Sequence, residues 1–368
     1  MAKQSPLSTF HESNGARFVE RDGWLLPAQF SNSAAEYAAV RSGVGFIDLS
    51  HRGLLQLIGA DRVSFLQGMV SNDVKALKPG EGQYATILNQ QGKVLGDTRV
   101  LCSENSLYLD LWEIIKDKIA GHLNRYLVAD EVEIADRTDE YGIISLQGPQ
   151  AEACLRRLVG QNELPGRLAE HRMVNIDGAQ VCVVRASYTA ETGFDLIIPA
   201  PHFKNIAQQL TETGNQLSGA WIGEEAHNIL RVEAGIPLYG IDFTEDNLLL
   251  EVGLDHAVSF SKGCYLGQEV VERIRSRGHV NKKLVGLVLE GRESASRGDV
   301  VLADRPVGTI TSSVHSPALG KPIALGYVHK DYWSQDTRLR LNHDGVSLDA
   351  KVTTLPFVHP PRALVSSS

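Results

Sequence analysis

Tyr84-Ala85-Thr86-Ile87-Leu88, then Asn89-Gln90-Gln91-Gly92, then Val94-Leu95-Gly96-Asp97-Thr98-Arg99-Val100-Leu101 is the stretch on which the fold turns. Two runs of β-prone residues flank a turn that closes on glycine, which reads as a hairpin. A second turn at Ser103-Glu104-Asn105 leads into Leu107 to Leu111, so the unit extends to a three-stranded antiparallel meander. Glu113 to Tyr126 then follows as an amphipathic helix. Upstream, Val63, Phe65, Leu66 and Met69 recur at helical spacing, predicting a helix from about Asp61 to Met69. An earlier helix through Glu36, Tyr37, Val40 and Arg41 has Ser31 and Ser33 as candidate N-caps and Gly43 as a candidate left-handed C-terminal residue.

Downstream the same grammar returns. Ile143 to Leu146 is a strand, Ala151 to Val159 a helix opened by Pro149, Val181 to Arg185 and Asp195 to Ile198 are strands, and His202 to Gly214 is a helix. Runs of strands with intervening helices, without regular βα alternation, predict α+β domains with antiparallel sheets. From Lys283 the chain changes to short β segments at Leu284–Leu289, Val307–Ser312, Ile323–Tyr327, Arg338–Leu341 and Leu348–Val352, which read as a C-terminal β-barrel. The tail from Pro360 to Ser368 is expected to fray.

The 368 residues are enough for two or three domains, and 43% hydrophobic content excludes disorder of the whole chain. A net charge of −8 gives no global reason to bind nucleic acid or an anionic membrane. Cys102, Cys154, Cys182 and Cys264 contain no CxxC pair, so no disulfide framework or zinc knuckle is written, and a reducing, cytoplasmic compartment is expected. No apolar run has the ~18 residues of a membrane span. His11, His51, His227, His256 and His279 show no HxH or HExxH spacing, and no metal site is expected. GxSxG, GxGxxG and GxxxxGK[ST] are absent.

Several residues are candidates for chemistry. Asp97 shares a strand side with Leu95, Arg99 and Leu101; a carboxylate there needs a partner, which is either Arg99 or the amine or ring nitrogen of a ligand. Glu191 and Asp195 flank Gly193 and could grip a guanidine-like edge such as the 2-amino-4-oxo face of a pterin, or simply be solvated. Tyr84, Tyr188 and Tyr239 could stack on a flat heterocycle or belong to the core. Lys262-Gly263-Cys264-Tyr265-Leu266-Gly267-Gln268-Glu269 places a lone thiol beside a lysine between glycines, readable as a reactive group or as a space-filling one. Arg273, Arg275 and Arg277 alternate, as they would along one face of an extended segment, where they could hold an anion or merely be solvated.

Collinear segments from Gly45-Phe46-Ile47-Asp48-Leu49-Ser50-His51, through Leu146-Gln147-Gly148-Pro149, Tyr188-Thr189-Ala190-Glu191-Thr192-Gly193 and Arg231-Val232-Glu233-Ala234-Gly235, to Gly308-Thr309-Ile310-Thr311-Ser312 resemble the folate-binding family of glycine-cleavage T-proteins (aminomethyltransferases) and YgfZ-type iron–sulfur assembly proteins. The resemblance implies a three-domain α+β fold around a central channel: residues 1–140, residues 141–282 with the KGCYLGQE string, and a barrel at 283–360. It implies tetrahydrofolate as ligand, with Asp97 at the catalytic aspartate, Tyr84 and Asp195 against the pterin, and Tyr188, Arg231 and Tyr239 in the same site. Gly96 stands where T-proteins carry a first aspartate, Lys93 replaces a glycine, Arg52 a methionine and His227 an arginine. The string Lys262 to Glu269 is similar to the YgfZ hallmark, with Cys264 as its functional thiol. The function expected from that string is support of iron–sulfur client proteins. The alternatives are one-carbon transfer from an aminomethyl-lipoyl carrier protein to tetrahydrofolate, or folate binding without catalysis.

Overall fold

The computed structural model describes residues 2–278 and 280–359; His279 and the tail from Pro360, expected to fray, lie outside the described residues. The meander forms as the sequence predicts and makes up one side of a five-stranded antiparallel sheet, with Gly82–Leu88 at the edge. Its order is Gly82–Leu88, Val94–Cys102, Ser106–Trp112, Arg52–Ile58 and Glu133–Asp136. The strand Val94–Cys102, central in the meander, is buried along its whole length because both of its faces are covered. One face packs on the helices Arg62–Met69 and Glu113–Tyr126 in a core that includes Val100, Phe65, Leu66, Ile115 and Ile119. The other carries Asp97 and Arg99 into a cavity.

A second, six-stranded sheet runs His171–Ile176, Ala179–Arg185, Gly193–Pro199, Tyr141–Gln147, Val44–Asp48 and Gly219–Trp221, antiparallel except for its last pair. Its strand Val44–Asp48 comes from the N-terminal third of the chain and pairs with Tyr141–Gln147, so the sheet crosses residue 140. The third unit is a closed six-stranded barrel spanning Lys282–Thr353. In Arg338–His343 the alternation puts Leu339 and Leu341 inward, the two-fold period of a strand with one covered face. The segment Val300–Leu302 is the barrel strand that sequence pattern did not reveal.

Local details correct three expectations. The helix Ser33–Ser42 is capped by Asn32, whose side chain accepts from the Ala35 N–H, rather than by either serine. Gly43 follows it with φ −130°; it is glycine because a Cβ would lie 2.4 Å from the Ser218 carbonyl oxygen. Arg273 and Arg275 sit on the helix Gln268–Arg277, where positions two apart diverge by about 200°, so no one-sided cationic stripe forms. Among the described residues no helix is long and apolar enough to cross a membrane.

Candidate functional site

All three units meet around a cavity of about 1060 Å³. The five-stranded sheet contributes Tyr84, Asp97 and Arg99, the middle of the chain Tyr188 and His227, and the barrel Val285. The volume is at the upper end of what ligand pockets of small molecules occupy.

Asp97 is buried, and the phenol of Tyr84 donates to its Oδ2 at 2.6 Å. The pair is diagonal across the hairpin, since Tyr84 is in register with Arg99 and Asp97 with Thr86. An aromatic side chain spans such a diagonal. Asp97 Oδ1 has no partner among the described residues. Burial raises the pKa of this carboxyl, against the Tyr84 hydrogen bond and the charge of Arg52, which lower it. The result is a carboxyl with one oxygen fixed and the other free to accept from a ligand. The imidazole of His256 stacks on Tyr84 with centroids 5.2 Å apart and 19° between the planes, extending a flat wall along the cavity.

Arg99 is not the partner of Asp97. Its Nε donates to Asp110 Oδ2 at 2.8 Å and its Nη2 lies 2.6 Å from Asp195 Oδ2. Arg52 binds the other oxygen of Asp110. Burial opposes ionisation of Asp110, but the two guanidinium groups outweigh it and hold its pKa below the ordinary carboxylate range. Arg52 and Arg99 line the cavity, and Arg99 Nη1 is without a partner among the described residues. Asp110 is the member of this cluster that sequence reasoning missed. Its signal was a single acid in the apolar run Leu107-Tyr108-Leu109-Asp110-Leu111, facing Arg99 in the strand register.

The remaining candidates divide. Tyr188 lines the cavity and donates to Asp195 Oδ2 at 2.8 Å. Asp195 itself is fully buried behind Arg99 and Tyr188 and is not among the lining residues, though its Oδ1 is unpartnered among the described residues. Glu191, its expected companion, binds Arg41 at 2.8 Å instead. Arg231 lines the cavity with its polar atoms committed: Nε to Asn228, Nη1 to Asp242 Oδ2 at 2.6 Å, and Nη2 to the barrel's Ser312 at 2.7 Å. It locks the barrel to the helix Glu224–Glu233. Tyr239 accepts from Lys118 Nζ at 3.1 Å and lies outside this cavity. His227, where the resemblance anticipates arginine, lines the cavity as a neutral imidazole, because burial, with Arg21 and Arg231 behind it, pushes its pKa down to about 3. At Gly96 a Cβ would lie 2.4 Å from Ile115 Cδ1. Neighbouring strand positions face opposite ways, so position 96 looks into the helical core and only position 97 into the cavity. Loss of the first aspartate therefore leaves the cavity-facing carboxylate in place.

Cys264 is exposed and does not line the cavity. The ammonium of Lys262, expected beside the thiol, turns inward to the carbonyl oxygens of Gln67, Val70 and Asn72. Gly263 is exposed, Tyr265 is buried against Lys262, and Gln268 and Glu269 open the helix Gln268–Arg277.

A three-unit α+β protein whose lobes and barrel enclose one ligand cavity is the class that this architecture defines. The chain belongs to the glycine cleavage T-protein (GCVT) family: the GCVT N-terminal domain matches residues 7–262 and the glycine cleavage T-protein C-terminal barrel domain matches residues 282–359. It is 31% identical over 363 residues to an aminomethyltransferase of Chloroherpeton thalassium, covering 98% of this chain and 100% of that one. An aminomethyltransferase of Rubrobacter xylanophilus is 34% identical over 330 residues, covering 89% and 87%. The crystal structure of glycine cleavage system aminomethyltransferase T from Bartonella henselae superposes with a TM-score of 0.90 at 26% identity, over 98% of this chain and 99% of that one. These near-full-length matches overturn the expected YgfZ-like role in iron–sulfur assembly, which rested on an eight-residue string. In the fold that string packs against the helix Arg62–Met69 and the hairpin of the cavity-bearing sheet and exposes its thiol elsewhere. Replacing Cys264 by serine is expected to leave stability unchanged within about 0.5 kcal/mol, as for an isolated surface substitution, by urea denaturation.

Proposed function

We propose that the chain is an aminomethyltransferase that moves a one-carbon unit from an aminomethyl-lipoyl group on a carrier protein to tetrahydrofolate. The observation that carries this reading is Asp97: a buried carboxyl at the cavity wall with Oδ2 held by Tyr84 and Oδ1 unpartnered. The family uses tetrahydrofolate as its one-carbon acceptor, and the residues here fit such a group. The cavity has the volume, Tyr84 and His256 offer a flat wall, and Arg99 Nη1 and Asp97 Oδ1 are a donor and an acceptor left without partners. Tetrahydrofolate supplies the amines that take the carbon. Asp97 Oδ1 accepts a hydrogen bond from an amine N–H and orients that nitrogen. Its burial-raised pKa brings it nearer to neutrality, where proton transfer is most effective. Over the full reaction the carbon–sulfur bond to the lipoyl group and the carbon–nitrogen bond to ammonia break. Two carbon–nitrogen bonds to the acceptor form, and the two amine protons leave on the thiol and on ammonia. No oxidant is needed.

Recognition of the pterin by Asp195 is proposed here as indirect. Oδ2 of the carboxylate is taken up by Arg99 and Tyr188 from behind the cavity wall, and it acts by setting those two side chains.

The test mixes purified protein with aminomethyl-lipoylated carrier and tetrahydrofolate and follows ammonia, free dihydrolipoyl thiol and methylenetetrahydrofolate. Equal release of all three is expected. Absence of turnover with saturating carrier overturns the reading. Tyr84→Phe is expected to lower kcat by about 10-fold, in the range of one hydrogen bond to a charged group. It is also expected to move the acid limb of the pH profile upward, because the bond it removes favours the charged carboxylate.

A further inference from the structure

The string Lys262 to Glu269 has no part in the site as described so far, yet its inward-facing residues reach the site's supports. Lys262 is nearly fully buried, and its Nζ donates to three carbonyl oxygens: Gln67 at 2.6 Å, Val70 at 2.8 Å and Asn72 at 2.8 Å. The first two belong to the end of the helix Arg62–Met69, where carbonyls lack intrahelical donors and a cation is favoured. The third continues into the site. The side-chain amide of Asn72 donates to the Tyr84 carbonyl at 2.9 Å and to the His256 carbonyl at 3.3 Å. Those two residues form the stacked wall, and Tyr84 holds Asp97.

The far end of the string fixes the other end of the same strand. Gly267 sits at φ +83° under the hairpin turn, where a Cβ would lie 2.6 Å from the Asn89 carbonyl oxygen and 3.2 Å from Gly92 Cα. Between the two anchors, the Leu266 N–H donates to the Gly68 carbonyl at 2.9 Å. The strand Gly82–Leu88 is thus gripped at Tyr84 through Lys262 and Asn72, and at its turn through Gly267.

We infer that Lys262 is a positioning residue for the reaction: through the Asn72 carbonyl and amide it sets the height of Tyr84 in the wall, and so the place of the free oxygen of Asp97. An ammonium suits the task because it has three donors for three converging acceptors and no acceptor of its own. The inference rests on the transferase reading given above. Its geometric half does not.

The experiment compares wild type, Lys262→Met, Lys262→Arg, Tyr84→Phe and the double variant Lys262→Met/Tyr84→Phe. In the carrier-dependent assay, Lys262→Met is expected to lower kcat by about 3- to 10-fold, no more than loss of the Tyr84 hydroxyl through which it acts, with KM for the carrier within about twofold. Lys262→Arg restores most of the loss. In the Tyr84→Phe background the same lysine change costs less than about twofold, since the link it serves is already cut. An equal loss in both backgrounds, or a wild-type kcat in Lys262→Met, overturns the inference. If wild type itself shows no turnover, amide hydrogen exchange decides the geometric half. Exchange in Gly82–Leu88 should accelerate at least fivefold in Lys262→Met while the barrel strands are unchanged, and uniform acceleration or none refutes it. Should Lys262→Met fail to fold, Lys262→Gln, which keeps two N–H donors on a chain of similar length, carries the same comparison.

Discussion

Asp97→Asn is expected to reduce kcat by about 10²- to 10⁴-fold in the carrier-dependent assay while tetrahydrofolate still binds. Asparagine keeps the shape and the hydrogen bond with Tyr84, so the cavity wall stays in place. What is lost is the proton-accepting oxygen that faces the ligand. Tryptophan fluorescence gives a direct measure of retained binding, because Trp112 and Trp333 both line the cavity. The pH dependence follows from the same group. Burial lifts the Asp97 pKa above its ordinary value, so kcat/KM should fall as pH drops through a limb that lies higher than a solvated aspartate would give. Asp97→Asn removes that limb. A variant that turns over at the wild-type rate would show that the carboxylate is a bystander.

The largest effect on stability is expected at Asp110. This fully buried carboxylate is shared by two buried guanidinium groups, and removing it in Asp110→Ala strands two cations in a low-dielectric wall. Breaking a buried pair in this way costs about 3–5 kcal/mol, measured as the loss of unfolding free energy in urea. Arg99 keeps Asp195, so Arg52 suffers more. Replacing Arg52 by methionine in the same chain should recover a large part of the loss. The sign with pH is fixed by the direction of the shift. The folded-state pKa of Asp110 is lowered, so its stabilising contribution is present above the unfolded-state value near 3.9 and disappears as pH falls through the folded-state value. Wild type should therefore be more acid-labile, relative to its neutral stability, than the variant lacking both Arg52 and Asp110.

How much of this was legible in the chain depended on the range over which each pattern acts. The hairpin at Tyr84 to Leu101, the helix Glu113–Tyr126 and the barrel strand Arg338–His343 are written in local period and turn chemistry, and they form as read. The strand Val300–Leu302 is three residues long and has too few positions to show a period. Arg273 and Arg275 were read as extended because their spacing is two, whereas Val270, Val271 and Ile274 set a helical repeat around them. Asp97 was legible as a carboxylate in need of a partner. That the partner is Tyr84 and not Arg99 depends on strand register and on Asp110 lying opposite Arg99, which spacing along one strand does not encode. Asp195 was expected against the pterin and lies behind the cavity wall formed by Arg99 and Tyr188, a distinction of depth rather than of direction. The string Lys262 to Glu269 was conspicuous for its cysteine, but its lysine and second glycine are the residues that reach the site's framework.

The strand Val44–Asp48 must find its neighbour in Tyr141–Gln147, on the order of 100 residues further along. During synthesis at roughly 5–20 residues per second, that early segment leaves the ribosome on the order of ten seconds before its pairing edge exists. Phe46 and Ile47, fully sequestered in the finished protein, are exposed for that interval. Nascent chains arrested before residue 141 should accordingly be captured by a chaperone that binds apolar segments, and chains long enough to carry Gly219–Trp221, the other neighbour of Val44–Asp48, clear of the ribosome should not.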